Sequence, residues 1–139
     1  MIVNLTPHPL NIYANDCPDR VEPSDVKPEL TVATSGRVAR LAEETLGTWF
    51  VDAFDYEGTT PAESLTSIAI EGVNYGSVYG LPPLDTEATD INERPRTYYV
   101  VSLVVALAAH GRPDLLVPYR EVRSMAGSVI GCRQLARPV

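Results

Sequence analysis

The chain has 139 residues, 45% hydrophobic and 21% charged, which is the size of one domain able to bury about two-thirds of its unfolded surface and lies far from disordered composition. No run reaches the roughly 18 apolar residues that span a bilayer, and Met1-Ile2-Val3-Asn4 lacks the basic and apolar regions of a secretion signal, so a single cytoplasmic domain over residues 1–139 is expected. The formal net charge of −7 is uneven: residues 1–93 carry 16 acids against 4 bases, and residues 94–139 carry 2 acids against 7 bases, which excludes general nucleic-acid binding over most of the surface.

Residues 4–13 read as an extended segment with a bend, because Pro7 and Pro9 forbid a helix while Leu10 and Ile12 alternate with polar neighbours. Residues 14–29 are acidic and carry Pro18, Pro23 and Pro28, the composition of a solvated, mobile loop. The runs 30–34 and 37–41 are β-prone and flank Ser35-Gly36, so a hairpin is expected there. Residues 49–56, 67–70 and 73–79 follow as three further strands, punctuated by Gly58, Gly72, Gly76 and Gly80.

A second acidic loop is expected over residues 83–95. Residues 97–101 form a buried strand, after which Ser102 caps a helix over 103–109 that Gly111 ends and Pro113 keeps from resuming. That helix is apolar on nearly every side, which predicts deep burial against the sheet. Residues 115–123 and 129–136 close the chain as a hairpin across 124–128. The expected fold class is α+β: a curved antiparallel or mixed sheet of about seven short strands packed on one central apolar helix.

The chain lacks a glycine-rich phosphate loop, a nucleophile elbow, a paired-cysteine metal site and a metalloprotease helix. Cys17 and Cys132 stand 115 positions apart and read as two free thiols, and Cys132 reads as a small core residue more readily than as a nucleophile. With His8 and His110 as the sole histidines, a metal site would need carboxylates from distant loops, so no metal or cofactor is expected.

Three features carry binding chemistry. Thr6-Pro7-His8-Pro9 presents a hydroxyl and an imidazole on a stiff backbone. Ten of the eleven bases are arginine, whose planar fork grips phosphate or carboxylate through two donors. Arg37 and Arg40, like Arg120 and Arg123, are spaced to point to opposite strand faces, whereas Arg133 and Arg137 share one. Residues 73–82 interleave glycines with Tyr75 and Tyr79, letting backbone approach a ligand while a ring stacks on it.

In order along the chain, Asn4-Leu5-Thr6-Pro7-His8, Ser35-Gly36-Arg37-Val38-Ala39-Arg40, Val78-Tyr79-Gly80-Leu81-Pro82, Tyr99-Val100-Val101-Ser102, Gly111-Arg112-Pro113-Asp114 and Ile130-Gly131-Cys132-Arg133 are similar to motifs of a family of small uncharacterised proteins from bacteriophages and prophage-bearing bacteria. The segments 14–29 and 83–95 depart from that pattern as longer acidic insertions. The resemblance implies a phage setting and no particular activity. Its pieces fall at expected strand ends and turns, which makes Thr6, His8, Arg37, Arg40, Tyr79 and Ser102, with Arg133 from the last piece, the candidate ligand-binding set.

Three functions compete. The preferred one is a phage accessory protein that binds and sequesters a small anionic ligand, a nucleotide immune signal, without turning it over. The second is an acidic inhibitor that docks on a basic host protein. The third is a nucleotide-processing enzyme with His8 as acid or base. A homo-oligomer is expected, since so small a domain offers little concave surface alone.

Overall fold

In the computed structural model, residues 1–54, 65–84 and 94–139 are described, and they divide into two units: Met1–Leu41 with Val78–Val139, and Ala42–Ser77. The first unit holds β1 (Ile2–Asn4), β2 (Leu10–Ile12), β3 (Arg20–Val21) and β4 (Leu30–Val32), then β7 (Tyr98–Val100), α1 (Leu103–Ala108), β8 (Leu115–Ser124) and β9 (Val129–Ala136). Almost all of β5 (Arg40–Phe54) and β6 (Leu65–Tyr79) belongs to the second, where they form a two-stranded sheet of their own.

Apolar runs too short for helices and bounded by Pro, Gly and Asp turns produce the strands of the first unit. Their order is β1-β7-β8-β9-β2-β4, with β3 alongside β8. The β1–β7, β7–β8, β2–β9 and β3–β8 pairs are parallel, and β8–β9 and β2–β4 are antiparallel. An Asn4–Thr34 bridge, reinforced by the Ser35 N–H on the Asn4 carbonyl at 3.1 Å, carries the chain beyond β4 back to β1 and nearly closes the sheet. Among the described residues the protein is therefore mostly β with one short helix, coarser than the expected α+β and consistent with it in the single helix and mixed sheet.

The interior is built in three clusters. Leu5, Ala39, Val101, Val105 and Leu115 anchor the first, Leu10, Val100 and Cys132 the second, and Tyr13, Cys17, Val21 and Val122 the third. Strand β8 reaches all three: Leu115 and Val117 are buried in the first, half-buried Leu116 packs on the second, and Val122 is buried in the third, beyond Arg120, which at φ 57° breaks the alternation. A left-handed non-glycine residue costs about 1–2 kcal/mol, offset by the burial it permits on both sides.

Four expectations are corrected. The segments 30–34 and 37–41 are not a hairpin: β4 pairs with β2, and after the turn at Gly36 (φ 83°) the Ala39 N–H bonds the Leu5 carbonyl at 3.0 Å. Residues 67–70 and 73–79 belong to one uninterrupted strand, β6. The 14–29 segment is not a free loop, because Cys17 and Val21 are buried and β3 pairs with β8. Helix α1 is not central: Val105 and Ala106 are buried while Leu103, Val104 and Leu107 are 54–60% exposed. The expected loop over 83–95 lies largely outside the described residues.

Candidate functional site

The N-terminal turn is organised by Asn4, whose side chain is buried. Its Nδ2 donates to the His8 carbonyl at 2.7 Å and the Val32 carbonyl at 3.3 Å, and its Oδ1 accepts from the Thr6 N–H at 2.9 Å and the Thr6 hydroxyl at 2.6 Å. Every polar capacity of this amide is used. The single proton of the Thr6 hydroxyl is shared between Asn4 Oδ1 at 2.6 Å and the His8 carbonyl at 3.1 Å, so toward a ligand this hydroxyl can act as an acceptor. The imidazole of His8 is exposed at the tip of the same turn.

Segment 35–40 is fastened to that turn. Ser35 bonds Asn4 through its N–H, Ala39 bonds Leu5, and the Ser35 hydroxyl closes a local turn with the Arg37 N–H at 3.3 Å and the Arg37 carbonyl at 3.2 Å. Gly80 lies directly on it: a Cβ at Gly80 would sit 2.4 Å from the Val38 carbonyl, and φ is 77°, so both space and backbone require glycine here. Thr6, Arg40, Tyr79 and Ser102 thus each adjoin a residue of one core cluster, namely Leu5, Ala39, Val78 and Val101.

The guanidiniums of Arg37 and Arg40 are exposed and have no ion pair or hydrogen bond among the described residues, and Tyr79 is 53% exposed. Along β5 and β6, the vacant Cβ position of Gly76 faces Ala42 at 3.5 Å, so strand alternation sends Arg40 and Tyr79 to opposite faces of the ladder. Ser102 occupies the residue before α1, with an exposed side chain that makes no capping hydrogen bond.

Arg133 stands apart from this group. Its Nη1 donates to the Cys17 carbonyl at 2.7 Å and its Nη2 pairs with Asp19, which ties the 14–29 segment to β9; its Nε is buried without a partner. Sequence reasoning also passed over a built ion pair. Arg112 Nε and Nη2 bind Asp114 Oδ1 and Oδ2 at 2.8 and 2.7 Å, Asp114 is 2% exposed, and the Asp114 carbonyl receives the Tyr99 N–H. The bond to Asp114 raises the Arg112 pKa. Its signal in the sequence was the Gly111-Arg112-Pro113-Asp114 run, which sets the two side chains two residues apart.

Cys17 and Cys132 are free and buried, and burial pushes the Cys132 thiol above its ordinary pKa, the environment of a packing residue and not of an activated nucleophile. Among the described residues no cluster of three or more His, Cys, Asp or Glu is placed to hold a metal ion, and no helix is long and apolar enough to cross a membrane.

Comparison with known proteins returned no matching family model, no matching curated protein and no matching solved structure.

Proposed function

We propose that this chain is a phage accessory protein that captures a small anionic ligand, a nucleotide signal of host defence, on the segment carrying Arg37 and Arg40 where it is fastened to the Asn4–Thr6 turn. The observation that carries this reading is the state of Arg37 and Arg40. Arg112, Arg123 and Arg133 are engaged by Asp114, Glu121 and Asp19, whereas these two exposed guanidiniums have no acid among the described residues, on a segment fixed by bonds to Asn4 and Leu5. An unneutralised guanidinium carried on a fixed backbone binds phosphate through two charge-assisted hydrogen bonds.

Thermal unfolding against cyclic dinucleotides, cyclic ADP-ribose isomers, ADP-ribose, NAD and common nucleotides tests this. A ligand at about a hundred times its dissociation constant adds about 2.7 kcal/mol and raises the melting temperature by several degrees. Recovery of the ligand unchanged after denaturation marks sequestration, and recovery as product marks an enzyme.

A second reading, docking on a basic host protein, is favoured by one observation: residues 42–77 carry seven acids, among them Glu43, Glu44, Asp52 and Glu71, and no Lys or Arg. Capture of a basic protein by the full chain, lost at high salt, would support it.

A further inference from the structure

The Ala42–Ser77 unit is a two-stranded sheet with one apolar side. The vacant Cβ position of Gly76 lies 3.5 Å from Ala42 Cβ, and that of Gly72 lies 3.6 Å from Leu46 Cβ and 3.3 Å from Trp49 Cζ3. Ala42, Leu46 and Trp49 therefore share a face with Gly72 and Gly76. Leu46 and Trp49 are an odd number of residues apart, so the alternation of β5 slips between them, at Gly47-Thr48. Alternation on either side then adds Val51, Ile68 and Ile70 to this face. The opposite face takes Thr48 and Glu71, joined by a 2.7 Å hydrogen bond, with Phe50, Asp52 and Tyr75.

We propose that two copies of this chain associate through this face, hairpin on hairpin, in a symmetric dimer. Three observations select a second copy as the occupant. Leu46, Trp49, Val51, Ile68 and Ile70 are 36–68% exposed, which amounts to apolar surface on the order of 500 Å², at the top of the range for monomers and most of the ~800 Å² each partner gives to a standard interface. A two-stranded hairpin is marginal in water without a third strand or a packed face, so its cover has to be present whenever the chain is folded, and an identical chain made alongside it meets that need at equal concentration. Among the described residues of this unit, Glu43, Asp52 and Glu71 alternate to the other face and only Glu44 lies among the apolar set, so stacking two sheets about 10 Å apart turns three of these four acids outward. The interface is isologous, each Trp49 facing the same patch from which the partner's projects.

Light scattering on the full chain at micromolar concentration reads the mass. The expected result is twice the 15.1 kDa chain mass for the wild type, a single chain mass for Trp49→Glu, and an intact dimer for Phe50→Glu, whose side chain lies one residue away on the other face. A wild-type monomer, a dimer that survives Trp49→Glu, or one lost equally in Phe50→Glu overturns the proposal. Because Trp49→Glu could also unfold the hairpin, wild-type fluorescence gives an independent reading: Trp49 is the sole tryptophan, and its emission shifts to the red on dilution if the face is covered by a second copy. Emission independent of concentration overturns the proposal as well.

Discussion

Asn4 holds Thr6 through one amide oxygen, which receives both the Thr6 N–H at 2.9 Å and its hydroxyl at 2.6 Å. The same side chain reaches the His8 and Val32 carbonyls, so a single buried amide joins the N-terminal turn to β4 and helps bring the two ends of the sheet together. The Asn-Leu-Thr-Pro-His run thus has a structural explanation independent of any ligand. Asn4→Ala removes the acceptor of the Thr6 N–H and one donor each from the Val32 and His8 carbonyls, the latter still within reach of the Thr6 hydroxyl at 3.1 Å, and is expected to cost about 2–4 kcal/mol in urea unfolding. A loss below about 1 kcal/mol would contradict this role.

Asp114→Ala strands the Arg112 guanidinium in a partly buried site. Removing one partner of a buried pair costs about 3–5 kcal/mol, and the 18% exposure of Arg112 places the expected value at the lower end. Glu121→Ala, which breaks an exposed pair with Arg123, is expected to change stability by less than about 1 kcal/mol. Parallel denaturant melts of the two variants check the contrast.

Burial raises the pKa of Cys132 above 9.0 and that of Tyr13 above 10.0. In both cases the fold holds an acid neutral, so the unfolded chain releases protons first as pH rises. Stability from this source is complete below the unfolded pKa values and falls as pH climbs through about 9 and beyond. Denaturant melts at about pH 8 and about pH 10 should show that decline, reduced in Cys132→Ala. The same burial predicts that neither thiol reacts with a disulfide reagent until denaturant is added.

Gly80→Ala and Gly36→Ala both place a side chain at positive φ, but the first also drives a Cβ to 2.4 Å from the Val38 carbonyl while the second meets nothing within 4 Å. The expected cost is about 1 kcal/mol at Gly36 and well above that at Gly80. Loss of ligand binding in Gly80→Ala would accompany it, since Val38 lies between Arg37 and Arg40.

The parts of the fold that were legible in the sequence are those set by neighbouring residues. The β8–β9 hairpin and its turn, the strand at Tyr98–Val100 and the framing of α1 by Ser102 and Gly111 follow from local periodicity and breakers. The rest depends on distant partners. Ser35-Gly36 does turn the chain, yet β4 finds β2 and the next residues find Leu5, which no local pattern encodes. Leu103, Val104 and Leu107 have core composition and lie exposed because only one side of α1 meets the sheet. Among the candidate ligand residues, segments carrying Thr6, Arg37, Arg40, Tyr79 and Ser102 converge on one core cluster, while Arg133 is tied to Asp19 and Cys17 on another.

Ligand capture is tested most directly by calorimetric titration of the nucleotide that most raises the melting temperature, into the wild type, Arg37→Ala, Arg40→Ala and, as an exposed arginine beside a different core cluster, Arg20→Ala. Saturable binding is expected, weakened about ten- to a hundredfold by each of the first two substitutions and unchanged by the third. Absence of binding across the panel, or equal affinity in Arg37→Ala and Arg40→Ala, would contradict it.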